Sequence, residues 1–474
     1  MDRLLSEIAG YLRDLRRTSL GAWRTFFFAP ADPTALGLMR VAVGALLLWN
    51  VAVLGPDLYD YLGSDGWIGP EALRAYLAQH SPWAWSFWIW VPDRWLPIAW
   101  AACLVALALY TVGLWSRVTA ALAWAIAVSL IRRAPVALFG FDHMISTWAL
   151  YLAAFGASGQ AVSLDRFLAR LRAIKRAQAR PGQRRPGQTR ELSGVPAASV
   201  TANLSLRMLQ LHLVLIYGSA GLSKLMGPEW WDGTAMQMII LTPEFRRFDL
   251  TWAFAYPGLL SLATHGGLLL ELSYPVLIWI PKLRPVLLAS VVLLHAGIDL
   301  TLGLTEFGLA MIAANLAFVS GPWLRRLVTG DLQPAGCLRF AHGSPRGQTL
   351  ATLALAADPD RVLLVDDTDR STSAAPPLGV RDSARDQTFA LVGADGRTSS
   401  GYDAMLTVAR WLPLFWPVAL LGRLPGLRTI FRGLFLRLTR DTALHRTSGR
   451  INGGRSPRAG LEQPLDLVGS PPTR

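Results

Sequence analysis

The chain has 474 residues, 52 % of them hydrophobic and only 16 % charged, with nineteen Trp, two Cys and a formal net charge of +14. So low a charged fraction excludes an ordinary soluble protein, and the two distant cysteines, Cys103 and Cys337, exclude a disulfide framework or a zinc site. The basic excess sits in linkers and tails beside apolar runs, which fits positive-inside topology and anionic lipid rather than nucleic acid.

Residues 1–24 lack the apolar core of a cleavable signal. Leu4, Leu5, Ile8, Tyr11, Leu12 and Leu15 fall at helical spacing, with Arg13, Arg16 and Arg17 off that face, so this segment reads as an interfacial amphipathic helix. Eight apolar runs then follow, near 34–54, 97–115, 118–131, 144–161, 203–225, 258–280, 286–304 and 307–324. Each approaches the roughly 20 residues a spanning helix needs, although the third is short and can pair with its neighbour as a re-entrant hairpin. The fold class expected is an all-α polytopic helix bundle over residues 25–330, in the cytoplasmic membrane if the source is bacterial.

Charge predicts the orientation. The N-terminal segment, the loop after the fourth run, and Lys282, Arg284, Arg325 and Arg326 are basic, whereas the loop after the first run carries Asp57, Asp60, Asp65, Glu71 and Asp93. Alternating basic loops place both termini in the cytoplasm, with Arg132, Arg133, Arg246 and Arg247 as exceptions. The Arg-, Gln- and Pro-rich stretch 171–200 reads as a flexible linker between two four-helix halves.

Beyond Pro334 the character changes. "VLLVDD" and "TFALVGADGRT" read as strands and "YDAMLTVARWL" as a helix, so residues 336–440 form a small α/β domain. The Pro- and Gly-broken stretch 412–438 reads as a surface-lying helix pair, and 445–474 as a disordered tail.

Ionisable groups inside apolar runs each need a reason. In the fifth run Arg207, Gln210, Tyr217 and Lys224 are spaced 3, 7 and 7, which puts them within one arc of about 100°. Gly218, Ser219, Ala220 and Gly221 permit close approach along that helix. Lys224 has two readings: a lysine snorkelling to the headgroups, or a desolvated amine acting as general base. His295 and Asp299 lie one turn apart and can orient an imidazole, hold a metal or form a structural pair; the pattern predicts no metal site. Glu271, in mid-run, needs a partner such as Arg207 or a histidine. Asp142 opens the fourth helix as a cap, beside His143. Arg40 is deep enough to require a carboxylate or backbone carbonyls.

The stretch "YGSAGLSKLMGPEWWDGTAM" resembles the HTTM family, which includes the vitamin K-dependent gamma-glutamyl carboxylases. Tyr217, Ala220, Gly221, Lys224, Leu225, Trp230 or Trp231, and Gly233 carry the likeness. "GLMRVAVG", "SDGWIGP", "GFDHMISTWALYL", "SLDR" and "LLHAGIDL" extend it over residues 25–325. The resemblance implies that Lys224 is the base that deprotonates a reduced quinone of the vitamin K or menaquinone type, with His143 assisting. It implies a pocket including Tyr217, Gly221, Arg207, Gln210, Glu271, His295 and Asp299. The activity implied is carboxylase- or epoxidase-like, of the lyase class. The carboxylases' large lumenal β-rich, propeptide-binding region has no counterpart here.

"LRFAHGSPRGQTL", "FALVGADGRTSSGYDAML" and "RWLPLFWPVALLGRLPG" resemble the later part of the DCC thiol-disulfide oxidoreductases, a thioredoxin-like group. Their paired cysteines are missing, and dithiol exchange needs two thiols. The expectation is a redox-dead, thioredoxin-like remnant that packs or docks a protein partner. The functions to weigh are therefore a quinol-dependent membrane enzyme, a non-catalytic membrane module binding quinone or lipid, and a transporter or channel. The expected partners are the lipid bilayer and a membrane quinone, with no nucleic acid.

Overall fold

The computed structural model describes residues 2–81, 83–135, 138, 140–179, 196–242, 247–329, 336–341, 345–357, 363–368, 389–393, 398–411 and 426–439. Most of the linker expected at 171–200, Arg246, the first part of the surface-lying pair and the tail at 445–474 lie outside the described residues.

The chain opens with a long helix, α1 (Asp2–Phe28), followed by α2 (Thr34–Val53), the short α3 (Leu58–Leu62) and α4 (Pro70–His80). Next come α5 (Leu96–Val112), α6 (Ser116–Arg133), α7 (Phe141–Ala154) and α8 (Leu164–Ala179). The second half holds α9 (Val200–Lys224), α10 (Pro228–Trp231), α11 (Ala235–Leu241), α12 (Pro257–Leu277), α13 (Arg284–Leu302), α14 (Thr305–Ala314) and α15 (Gly321–Thr329). Tyr11, Leu12 and Leu15 on α1 are exposed.

Among the described residues four helical stretches are long and apolar enough to cross a membrane: Thr34–Val53, Asp93–Val112, Val200–Lys224 and Arg284–Leu302. Helices also stand at the other four expected runs, but there length or apolarity falls short. The α7 helix has 14 residues and α14 has 10, and α12 carries Glu271 and the helix-breaking Pro275.

The two halves share one core. Leu36, Met39 and Val43 of α2, Leu107 of α5 and Trp148 of α7 belong to the same buried cluster as Leu209 and Leu213 of α9 and Val291 of α13. Arg40 sits fully buried in α2 and takes backbone carbonyls, one of the two partners expected for it. Its guanidinium donates to the carbonyl of Ser158 at 2.6 Å and to that of Val162. Gly113 ends α5 in the left-handed region at φ 73°, where a Cβ would meet the Arg40 guanidinium carbon at 2.7 Å. The carboxylate of Asp165, within "SLDR", then accepts from the N–H groups of Trp115 and Ser116 at 2.8 and 2.7 Å, capping α6.

In the C-terminal region β1 (Gly336–Ala341), α16 (Pro345–Ala357), β2 (Leu363–Thr368), β3 (Phe389–Gly393) and β4 (Thr398–Ser400) precede α17 (Gly401–Trp411) and α18 (Leu427–Thr439). The sheet order is β2-β1-β3-β4; β1 pairs parallel with β2 and antiparallel with β3, and β3 pairs antiparallel with β4. β1 is a strand that the sequence reading did not separate. Arg170 of α8 donates to the carbonyl of Ala356 at the end of α16 at 2.9 Å, fastening this region to the helical one.

Candidate functional site

The site is built where α9, α12, α13 and α14 meet. Ser199 caps the start of α9, accepting from the N–H of Ala202 at 3.2 Å. Towards its other end α9 crosses α12 closely because glycines face the crossing. A Cβ on Gly221 would lie 3.0 Å from Leu272 Cδ2 and 3.1 Å from its backbone N, and one on Gly218 would lie 3.3 Å from Pro275 Cγ. Pro275 has no N–H to give the carbonyl four residues back, that of Glu271.

That crossing sets Lys224 against Glu271, with Nζ–Oε2 at 2.7 Å and the side chains 25 % and 13 % exposed. Glu271 therefore takes Lys224, not Arg207 or a histidine. The ring of Trp230, on the short α10, lies 5.1 Å from the ammonium. Glu271 is fourteen residues into α12, about 21 Å from its start at 1.5 Å per residue. The end of α9 thus lies well along α12, and α10 and α11 fold back over the first half of α12. His265 of α12 contacts the carbonyl of Trp231 at 3.2 Å, and the N–H of Met236 donates to Thr264 at 3.2 Å. Lys224, the last residue of α9, turns to the Glu271 carboxylate of the neighbouring helix.

One to two turns earlier on α9, Tyr217 is buried, and its hydroxyl lies 2.9 Å from Nε2 of His295 on α13. The same hydroxyl lies 3.2 Å from Nδ2 of Asn315, at the end of α14, and Tyr274 of α12 donates to Oδ1 of Asn315 at 2.6 Å. The rings of Tyr217 and Tyr274 pack at a 32° tilt with centroids 4.1 Å apart. Tyr217 and Lys224 are seven residues apart on one face of α9, so the ion pair and the hydroxyl–imidazole chain meet the same side of that helix. Gly308 lets α14 close on α13, since a Cβ there would lie 2.8 Å from the carbonyl oxygen of His295.

The remaining sequence candidates divide. Arg207 and Gln210 share the arc of Tyr217 and Lys224 but meet different partners. Arg207 Nε donates to the carbonyl of Phe26 at 2.9 Å, and Gln210 donates to that of Ala317 at 2.7 Å. They tie α1 and the segment after α14 to α9. Asp299 does not pair with His295; its carboxylate accepts from Thr305 at 2.5 Å and sits 3.5 Å from Arg247. Asp142, at the start of α7, accepts from Asn50 of α2 at 2.8 Å. His143 is exposed at the start of α7. The rings of Phe141, Phe307 and His295 lie in series, 6.2 and 5.3 Å apart, between that helix start and the site.

Tyr274, Asn315 and Phe307 were missed by the sequence reading. A tyrosine beside a proline in the last turn of α12 and an asparagine at the end of an apolar helix are the signals for the first two. Among the described residues no group of three or more His, Cys, Asp or Glu is placed to hold a metal.

In comparison with known proteins, the family model described as the HTTM domain matches residues 195–323. No curated protein and no solved structure matches the chain. The matched stretch runs from just before α9 into α15 and contains Lys224, Glu271, Tyr217, Tyr274, His295 and Asn315; His143 precedes it. The apolar helices, together with the match of residues 195–323 to the HTTM domain, mark the chain as an integral membrane protein.

Proposed function

We propose that Lys224 and Glu271 form the acid–base centre of quinol-linked chemistry inside the bilayer, with Lys224 as general base. The observation that carries this reading is the 2.7 Å ammonium–carboxylate contact, partly buried between two helices and inside the HTTM match. The pair binds one proton between two groups. While the proton stays on Lys224 the lysine is an acid; when Glu271 takes it, the amine is free to accept a proton from a hydroxyl.

The residues present fit an aromatic diol. Trp230 offers a flat face beside Lys224, and Nδ1 of the buried His295 has no hydrogen-bond partner among the described residues. A reduced quinone of the vitamin K or menaquinone type supplies, when bound, the acidic hydroxyl and the reducing electrons. Tyr217 and Gly221 shape the neighbouring wall, and the apolar helices keep water from the amine. His143 is the second residue assigned here, at the rim of the site. The reaction class is carboxylase- or epoxidase-like. No metal enters this reading.

The ion pair also favours a second reading, a non-catalytic module that binds quinone or lipid, because a charge already neutralised by its neighbour is a stable structural element. The two separate in one assay: full-length protein in detergent receives a reduced naphthoquinone, and epoxide is followed for wild type and Lys224→Ala. Product from wild type alone fits Lys224 as base. Equal product from both removes that assignment, and product from neither leaves the binding module.

The same proposal places eight spans across the membrane with both termini cytoplasmic, in line with the alternating basic loops. The C-terminal region is read as a thioredoxin-like remnant that docks a protein partner. Its order β2-β1-β3-β4, with one parallel and two antiparallel pairings, supports that reading.

A further inference from the structure

The hydrogen-bond chain beside Lys224 has one direction in which every hydroxyl hydrogen finds an acceptor. The carbonyl of Met311 can only accept, so the side-chain group of Asn315 that contacts it at 2.9 Å is the amide nitrogen. Oδ1 of Asn315 therefore faces Tyr274, whose hydroxyl must donate, at 2.6 Å. The second amide hydrogen of Asn315 points to the hydroxyl of Tyr217 at 3.2 Å. Tyr217 has no other acceptor for its own hydrogen among the described residues, so it gives that hydrogen to Nε2 of His295 at 2.9 Å. An Nε2 that accepts carries no proton, so the neutral imidazole bears its hydrogen on Nδ1. That N–H is buried and has no partner among the described residues, in a side chain only 3 % exposed.

From this chain we infer that His295 is a ligand-binding residue: Tyr274, Asn315 and Tyr217 lock its tautomer so that Nδ1–H is held out as a donor for an oxygen of the bound ligand. A buried donor without an acceptor is destabilising, and a ligand oxygen there relieves it. The fixed direction makes Tyr217, Asn315 and Tyr274 positioning residues. None of them needs to touch the ligand. The inference rests on the reading of the site as a quinone site for the identity of the ligand, but the tautomer does not.

The test uses the full chain in lipid nanodiscs with 15N-labelled histidine, His295 being assigned by its disappearance in His295→Asn. The expected spectrum shows a protonated Nδ1 and an unprotonated Nε2, reversed or averaged in Tyr217→Phe. Titration with a short-chain naphthoquinone should move the Nδ1 resonance. Asn places its amide nitrogen where Nδ1 stood, whereas Gln places it nearer Nε2. Quinone affinity is therefore expected within about threefold of wild type in His295→Asn and weakened about tenfold in His295→Gln, the loss of one buried hydrogen bond. A protonated Nε2, or an Nδ1 signal unmoved at saturating quinone, overturns the inference even if Lys224→Ala abolishes epoxide. A moved Nδ1 without epoxide from wild type keeps the inference and ends the catalytic reading. Absence of any quinone binding overturns both.

Discussion

Removing either partner of the Lys224–Glu271 pair should cost more than removing both. At 2.7 Å and an effective dielectric constant of about 20, the gross attraction is about 6 kcal/mol, most of it offset by desolvation of the two ions. Exposed pairs are worth about 0–1 kcal/mol, and breaking a fully buried pair costs about 3–5 kcal/mol. With 25 % and 13 % of the side chains exposed, this pair lies between those limits. A double-mutant cycle of Lys224→Met and Glu271→Gln should therefore give a coupling energy of about 1–3 kcal/mol. The assay is equilibrium unfolding of the full chain in bicelles by steric trapping. Each single variant should lose stability, and the double variant should recover part of it. A coupling energy below about 0.5 kcal/mol, the range in which independent sites add, would refute the reasoning, because each ion would then be satisfied separately.

Three further outcomes follow from other parts of the molecule. Gly221→Ala would set a methyl 3.0 Å from Leu272 Cδ2; it should destabilise by about 1–3 kcal/mol in the same unfolding assay and loosen the pair beside it. Arg40→Met would strip the carbonyls of Ser158 and Val162 of their donor and should cost about 3 kcal/mol or more, read as loss of folded yield and a lower Tm. The Asp232 carboxyl, in the exposed turn after α10, is held below its usual 3.8 first by the hydroxyl of Thr234 and then by its N–H. A depressed folded-state value contributes stability above the unfolded value and loses it as pH falls through the folded one. Amide exchange at Thr234 should thus lose protection only on the acid side of 3.8, and Asp232→Asn should abolish that pH dependence.

The positions of the helices were legible because apolar runs are local features. The seam on α9 was legible for the same reason: spacings of 3, 7 and 7 are a property of one helix. Its partners were not. Arg207 meets the end of α1, Tyr217 meets α13 and α14, and Lys224 meets α12, and periodicity carries no information about which helix lies opposite. Glu271 and Lys224 are 47 positions apart, and only the crossing at Gly221 brings them together. The His295–Asp299 spacing misled for a related reason. One-turn spacing permits a pair, yet Arg247 and Thr305 compete for the carboxylate while Tyr217 takes the imidazole. For Arg40, backbone carbonyls were one of two expected answers, because buried guanidinium leaves few choices.

The account turns on where a quinone sits. A cryo-EM structure of the full chain in nanodiscs, saturated with a naphthoquinone, tests that directly. The account predicts one ring oxygen about 2.6–3.2 Å from Lys224 Nζ, within hydrogen-bond reach, and the ring beside Trp230. A quinone bound elsewhere, with Lys224 and Glu271 still closed on each other and no density beside them, would contradict it.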